Sequence, residues 1–303
     1  ASFWVRRIRR LLPAALLVLA VSAVLVFTVL PAVVREESLR QIGASAAYIV
    51  NWVLAFDSVD YLASDNAATL VQHYWTLSVE EQFYIVWPIL LVAAGWLVGR
   101  IARRSAVRPA TTFFVLALAV GVVSLAYSIF LTWFSPSFAF FATSTRAWEF
   151  AAGAALAALA ARWPHALTAL RATTMVRVVA APTLVGAALI LVPSVVFSAE
   201  TPFPSYRAVA PVLGAVLIIA GGLPSAFGLG RLLSWRPVQF VGDISYSLYL
   251  WHWPIIVSFV LIVGARPGIV AALGIIAASV LLAALTKYFV EDPARRAPVF
   301  TRR

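Results

Sequence analysis

The sequence is divided into long apolar runs separated by short groups of arginine. The run Leu11–Leu30 contains no charged residue, and about twenty such residues are enough to cross the ~30 Å hydrocarbon layer of a membrane as an α-helix. Hydrophobic residues make up 63% of the 303-residue chain and charged residues only 12%, whereas soluble domains are about 25% charged. These features exclude an ordinary soluble domain and predict an all-α, polytopic transmembrane helix bundle.

The apolar runs predict eight membrane spans and one shorter segment. The segment Ile42–Phe56 is apolar but short, which favours a re-entrant or interfacial element over a full crossing. With this arrangement all large arginine clusters fall on one side, so the positive-inside rule places both chain ends in the cytoplasm. The predicted spans are Leu11–Leu30, Val79–Gly99, Thr111–Phe134, Ser144–Ala161, Val178–Phe197, Val209–Leu223, Ile244–Val263 and Gly268–Phe289.

Charge and composition exclude several classes of partner. The formal net charge is +11, but the basic residues lie between apolar runs, where they set topology, so we predict no nucleic-acid partner. The chain has no cysteine, and its three histidines are scattered and lack matched carboxylates, so we predict no metal site. No internal repeat or water-soluble region is evident. Residues 1–303 are therefore interpreted as a single membrane-embedded domain.

The stretch His73–Pro88 concentrates polar residues at the entrance of an apolar run. Ser78 and Glu81 have the spacing of a capping box, with Ser78 as N-cap and Glu81 at N3. That structural interpretation leaves the remaining polar residues unexplained, and ionisable groups inside membranes are usually functional. A catalytic or substrate-binding role for one of the carboxylates therefore stays equally open. The candidate residues of this stretch are His73, Trp75, Ser78, Glu80, Glu81 and Gln82.

A second polar insertion consists of Arg146 and Glu149, which lie three residues apart and can face each other on a helix. Their pairing either locks helices together or takes part in catalysis. A structural role is slightly favoured, because buried ion pairs commonly brace a fold.

A third polar insertion runs from Gly242 to Pro254. If Asp243 caps this helix, His252 lies roughly 13 Å along the axis, close to mid-membrane. Polar residues at i, i+4 and i+7 form a stripe on one face, which favours a site-lining role over an isolated core histidine. Tryptophans at this depth line a cavity better than they form an interfacial belt. The candidates are Ser245, Tyr249, Trp251, His252 and Trp253.

Four arginines, Arg6, Arg7, Arg9 and Arg10, precede the first span. They act first as topology anchors. Clustered guanidiniums also bind phosphates in bidentate fashion, so this group is a candidate site for a phosphorylated cytoplasmic donor.

Taken together, these stretches resemble the acyltransferase 3 family of integral membrane O-acyltransferases. The similarity runs almost end to end. Within the family, the chain most resembles the subgroup that is fused to an SGNH-type esterase domain. It rests on Arg6-Arg7-Ile-Arg9-Arg10-Leu-Leu-Pro13, His73-Tyr-Trp-Thr-Leu-Ser-Val-Glu-Glu-Gln-Phe-Tyr, Arg146-Ala-Trp-Glu149-Phe, the Gly242–Pro254 run, and Val290-Glu291-Asp292-Pro293-Ala-Arg295-Arg296.

The resemblance implies transfer of an acyl group, usually acetyl, from cytoplasmic acyl-CoA to a hydroxyl of a cell-envelope carbohydrate. The acceptor would be lipopolysaccharide, exopolysaccharide or peptidoglycan, and the location the bacterial cytoplasmic membrane. The implied partners are acetyl-CoA as donor, the glycan acceptor, membrane lipid, and an SGNH-type esterase domain or partner.

The resemblance also assigns roles to the candidate residues. Arg7, Arg9 and Arg10 would contact the CoA phosphates. The residues from His73 to Gln82 would form a polar mouth that Arg146 and Glu149 brace, while Tyr249, Trp251 and His252 would line the acyl path.

The family bundle has ten spans, and its first span carries an arginine and the favoured catalytic histidine. Neither lies in this sequence, so the chain is expected to be N-terminally incomplete, with His73 or His252 substituting as the base. Two competing hypotheses remain. One is a membrane transporter, since buried ionisable residues also mark transport pathways, and the other is an inactive fragment of the acyltransferase.

Overall fold

The computed structural model describes residues 2–59, 68–101, 109–163, 176–198, 201–221 and 228–296. Within these ranges the chain is helical and contains no strand. The helices, in chain order, are α1 Ser2–Thr28, α2 Arg35–Ala46, α3 Val50–Asp57, α4 Tyr74–Ile101, α5 Pro109–Phe134, α6 Pro136–Phe141, α7 Ala147–Arg162, α8 Val176–Val196, α9 Val209–Gly221, α10 Gly228–Leu233, α11 Arg236–Val263, α12 Ile269–Thr286 and α13 Asp292–Arg296, with a π-helix at Lys287–Glu291 between the last two.

The predicted all-α polytopic bundle is confirmed. In the described part of the chain, five helical stretches are long and apolar enough to cross a membrane, and the other three predicted spans coincide with α7, α8 and α9. The five stretches are Phe3–Thr28, Tyr74–Leu97, Ala110–Phe134, Arg236–Val263 and Ile269–Arg296.

The helix after the first polar stretch begins earlier than the sequence predicts. Helix α4 begins at Tyr74, so Ser78 lies inside it, and the Ser78 Oγ donates to the Tyr74 carbonyl at 3.1 Å. The predicted capping box, with Ser78 as N-cap and Glu81 at N3, is therefore wrong. A hydroxyl that bonds back to the carbonyl four residues earlier is the usual state of a serine inside a helix.

Helix α11 also begins upstream of its apolar run, at Arg236. Asp243 is thus an exposed residue within the helix rather than its cap, and the predicted cap is wrong. His252 lies sixteen residues beyond the observed start, which is ~24 Å along the axis instead of 13 Å. The earlier start is compatible with Pro237, because a proline is tolerated in the first turn of a helix.

The segment predicted as re-entrant or interfacial is broken into two pieces. Helix α2 ends at Ala46, Tyr48 adopts a left-handed conformation with φ 55°, and α3 runs from Val50 to Asp57. An eight-residue helix is too short to cross a bilayer. This agrees with the prediction that the segment is not a full span.

The described residues form two compact units, and the first contains residues 2–54, 68–78 and 236–296. The Tyr246 hydroxyl donates to the Leu11 carbonyl at 2.8 Å, and the Arg9 Nε to the Ala294 carbonyl at 3.2 Å. The Trp251 Nε1 donates to the Thr286 hydroxyl at 2.8 Å. Helices α1 and α11 are therefore parallel. Helix α12 runs antiparallel to α11, so that the residues after α12 lie beside the N-terminal end of α1.

The second unit contains the described residues from 55–59 and from 79 to 235, with α5 packed on α7 and α8 on α9. The contact between α8 and α9 depends on two glycines. A Cβ added at Gly186 would lie 2.6 Å from the Gly214 carbonyl oxygen, and one at Gly214 would lie 2.5 Å from the Gly186 carbonyl oxygen. Small residues at such positions allow membrane helices to approach closely.

We predict that Gly214→Ala lowers the melting temperature of the detergent-solubilised protein. Its methyl group would overlap the Gly186 backbone, and overpacking of this kind costs about 1–3 kcal/mol. Gly153→Ala is the matched control, because an added Cβ there meets nothing within 4 Å. An equal melting temperature for both variants would contradict the close packing.

Candidate functional site

Two histidines meet in the first unit. His73 lies in the turn before α4 and His252 lies in α11, and their ring centroids are 5.6 Å apart. The turn is held against α11 by two hydrogen bonds: the Tyr249 hydroxyl donates to the His73 carbonyl at 2.7 Å, and the Trp253 Nε1 donates to the Thr69 carbonyl at 2.9 Å. These bonds fix the imidazoles next to each other.

The hydrogen-bonding role of the His252 Nδ1 is fixed by its backbone contact. Its Nδ1 lies 2.6 Å from the Tyr249 carbonyl oxygen, and a carbonyl can only accept a hydrogen bond. Nδ1 therefore donates in this contact, so in the neutral tautomer the lone pair lies on Nε2. This is the tautomer that a general base needs in order to accept a proton from a hydroxyl.

His73 is the more buried of the two imidazoles, with 6% of its surface exposed. Neither ring nitrogen makes a hydrogen bond of normal geometry to the described residues, although the Leu250 backbone lies near enough to raise its basicity slightly. Burial, with a smaller contribution from His252, lowers the pKa of His73 to about 3. This residue precedes the span that starts at Tyr74, and its ring is neutral at physiological pH.

Tyr249 connects the histidine pair to α4, since its hydroxyl also contacts the Thr76 hydroxyl. Other candidates on these helices differ in their exposure. Ser78 is buried within α4, Trp75 is half-buried, and Ser245 is exposed. Trp251 is buried and bonded to Thr286 on α12, so its predicted place along an acyl path stays a prediction.

The arginine group lies at one end of the same unit. Arg6 and Arg10 are exposed, while Arg7 and Arg9 are half-buried. Arg10 adjoins Leu11, whose carbonyl contacts Tyr246 of α11. Because Tyr246 and His252 are six residues apart, the histidine pair lies ~9 Å deeper along the helix axis.

The second polar cluster belongs to the second unit. The Arg146 Nη1 lies 3.2 Å from the Glu149 Oε1, and its Nη2 donates to the Phe140 carbonyl at 3.2 Å. The guanidinium also lies over the rings of Phe140 and Phe203, at 5.2 and 5.0 Å. Only 9% of the Arg146 side chain and 25% of the Glu149 side chain are exposed. The predicted pairing within the bundle is confirmed.

Gln82 belongs to this second cluster. Its Oε1 accepts the Thr143 hydroxyl at 2.6 Å, while Glu80 and Glu81 are half-buried on the adjoining part of α4. The structure thus groups the candidates into a histidine cluster and an arginine–glutamate cluster, one in each unit. The catalytic roles of Glu80 and Glu81 stay predictions.

Sequence reasoning missed several polar residues that hold these clusters, namely Gln41, Thr69, Thr76 and Thr143. Threonine is common in membrane helices, and its own backbone usually satisfies its hydroxyl. The one available signal for Thr143 is the Thr-Ser-Thr sequence immediately before Arg146. Among the described residues, no group of three or more His, Asp or Glu side chains is arranged to hold a metal ion.

We predict that Arg146→Ala destabilises the protein by about 3–5 kcal/mol, because it leaves the Glu149 carboxylate buried without its partner. The double variant Arg146→Met, Glu149→Leu removes both charges and should recover most of this loss. Denaturation midpoints of the detergent-solubilised variants measure the difference. A double variant no more stable than Arg146→Ala would show that the pair is not what holds this cluster.

A helical membrane bundle in which two imidazoles meet beneath a basic end defines a polytopic membrane protein with polar groups in its interior. The model of the acyltransferase 3 family, described as an acyltransferase domain, matches residues 1–288. The chain therefore belongs to this family.

Similar proteins include three bacterial proteins named as O-acetyltransferases. A putative peptidoglycan O-acetyltransferase of Bacillus subtilis, YrhL, is 37% identical over 84% of this chain and 39% of its own length. The peptidoglycan O-acetyltransferase OatA of Listeria monocytogenes is 28% identical over 97% of this chain and 46% of its own length. The O-acetyltransferase OatA of Staphylococcus aureus is 29% identical, over 97% and 47%. The chain thus spans less than half the length of these relatives, and no solved structure matches it.

Proposed function

We propose that the chain is the membrane part of an O-acetyltransferase that transfers acetyl from acetyl-CoA to a hydroxyl of peptidoglycan or a related envelope carbohydrate. The names of the similar proteins and the family support acetyl transfer to such an acceptor. We further propose that the chain lies in the cytoplasmic membrane of a bacterium, with the arginine group on the cytoplasmic side.

The observation that carries this proposal is the Nδ1 bond of His252 to the Tyr249 carbonyl, which makes Nε2 the lone-pair nitrogen of the neutral tautomer. In the proposed reaction the carbohydrate hydroxyl attacks the thioester carbonyl carbon while Nε2 takes its proton. The new C–O ester bond forms, the C–S bond breaks, and the imidazolium returns the proton to the leaving thiolate. The neutral, buried ring of His73 beside it keeps water and a second positive charge away from the imidazolium.

The arginine group supplies the donor end of the same path. Exposed guanidiniums of Arg6 and Arg10 can hold CoA phosphates through charge-assisted hydrogen bonds. The ~9 Å that separates this level from His252 is spanned by an extended pantetheine arm. The thioester then lies beside the base while the phosphates stay in the aqueous phase.

We predict that His252→Gln lowers kcat for acetyl transfer about 10²–10⁴-fold, the range of general base catalysis. Ser258→Ala is the control, because Ser258 lies in the same helix and its buried hydroxyl has no partner among the described residues. Transfer of labelled acetyl from acetyl-CoA to peptidoglycan measures both rates. A His252→Gln enzyme with the parental kcat would remove this residue from the chemistry.

We predict that Arg10→Gln raises KM for acetyl-CoA about tenfold or more, because one charged hydrogen bond is worth about 1.5–3 kcal/mol. The effect should shrink at high salt, where exposed charges are screened. Arg266→Gln is the matched control, since Arg266 is exposed in the loop between α11 and α12, at the other end of α11. Equal KM values for the two variants would contradict a donor site at the arginine group.

A further inference from the structure

A polar network in the first unit lies at the end of α1 that is remote from its arginines. Helix α1 has 27 residues and is ~40 Å long. Where it ends, Arg35 of α2 donates from Nε to the Leu30 carbonyl at 3.0 Å and from Nη2 to the Phe27 carbonyl at 3.2 Å. Helix α2 therefore starts at the end opposite to the proposed donor site.

The outer part of the network is built around Glu37. The Arg40 Nε and Nη2 donate to its two carboxylate oxygens at 2.8 and 2.9 Å, and the Gln41 Nε2 donates to its Oε1 at 2.7 Å. The Arg40 side chain is 47% exposed and that of Glu37 31% exposed. A carboxylate and a guanidinium are thus accessible, and the carboxamide of the buried Gln41 lies directly beneath them.

The inner part of the network leads to the histidine pair. The Thr69 hydroxyl donates to the Gln41 Oε1 at 2.5 Å, and the Thr69 carbonyl accepts the Trp253 Nε1 at 2.9 Å. The Trp253 ring centroid lies 6.2 Å from that of His73 and 6.4 Å from that of His252. Hydrogen bonds therefore run from the exposed ion pair to Trp253, and the Trp253 ring in turn contacts the rings of both histidines.

A purely helix-stabilising role would not require this arrangement. An ion pair three residues apart supports its own helix without any contact elsewhere in the chain. Here the buried Gln41, only 5% exposed, joins that pair to Thr69, which is 28 residues away in the sequence. The network connects the surface to the reaction centre, and this is what a substrate entry would need.

We propose that Glu37, Arg40 and Gln41 form the subsite through which the acceptor carbohydrate enters, with Thr69 and Trp253 leading its hydroxyl to His252. The proposal rests on the proposed function and names the acceptor side of that same site. Sugar hydroxyl and acetamido groups both donate and accept hydrogen bonds, so a carboxylate beside a guanidinium and a carboxamide matches them. A phosphate would be attracted by Arg40 but repelled by Glu37, which distinguishes this subsite from the arginine group of α1.

The test uses the full chain in lipid nanodiscs with labelled acetyl-CoA as donor and a soluble N-acetylglucosamine oligomer as acceptor probe. We expect Glu37→Gln and Arg40→Ala each to raise KM for the oligomer about tenfold, the loss of one charged hydrogen bond. KM for acetyl-CoA should stay at the parental value. Glu36→Gln is the matched control, because it makes the same charge change at the neighbouring, exposed position of α2.

Two readouts separate the subsite from the proposed reaction. Binding of a fluorescent N-acetylglucosamine oligomer to the parent, Glu37→Gln and Arg40→Ala proteins tests the subsite even if no acetyl is transferred. Oligomer affinity in both variants equal to that of Glu36→Gln, or a matching rise in KM for acetyl-CoA, would overturn it. Absence of transfer by the parent with weakened oligomer binding in the variants would overturn the reaction and keep the subsite. If Glu37→Gln fails to fold, the half-exposed Arg40→Ala decides the outcome.

Discussion

The first unit depends on hydrogen bonds between side chains of α11 and the backbone of the turn before α4. In hydrocarbon an unsatisfied carbonyl costs several kcal/mol (about 4–8 by cyclohexane transfer), so each buried carbonyl in that turn needs a donor. Tyr249 and Trp253 supply donors to His73 and Thr69. The same two contacts set the distance between the imidazoles, so the stability of the turn and the geometry of the site cannot be changed separately.

The sequence predicts the helical class and the Arg146–Glu149 pair well because both follow from solvation, whereas the single polar mouth predicted from His73 to Gln82 is divided between the two clusters. Long apolar runs must be helical in a membrane, and polar residues within them must face each other. Arg146 and Glu149 show this, since their spacing alone predicts the pair that the structure contains. His73 and His252 lie 179 positions apart, and their meeting follows from the helix order and not from any local pattern.

Helix starts and the partners of polar side chains were harder to predict. Ser78 has the residue type and spacing of an N-cap, but the turn at 71–73 starts the helix one turn earlier and turns its hydroxyl back to Tyr74. Gln41 and Thr69 bond across 28 residues, a contact that no periodicity encodes. Local rules fail here because tertiary contacts decide which of two acceptable starts or partners is used.

The π-helix at Lys287–Glu291 changes what the end of α12 can contact. In an α-helix each added residue turns the following chain by about 100°, and residues five apart then face different sides. The wider turn instead brings Lys287 within 2.9 Å of Asp292, five positions on, while Glu291 reaches Ser247 on α11. One additional residue in a single turn thus gives two neighbouring acids different partners: Glu291 bonds to α11, and Asp292 pairs with Lys287 and Arg295.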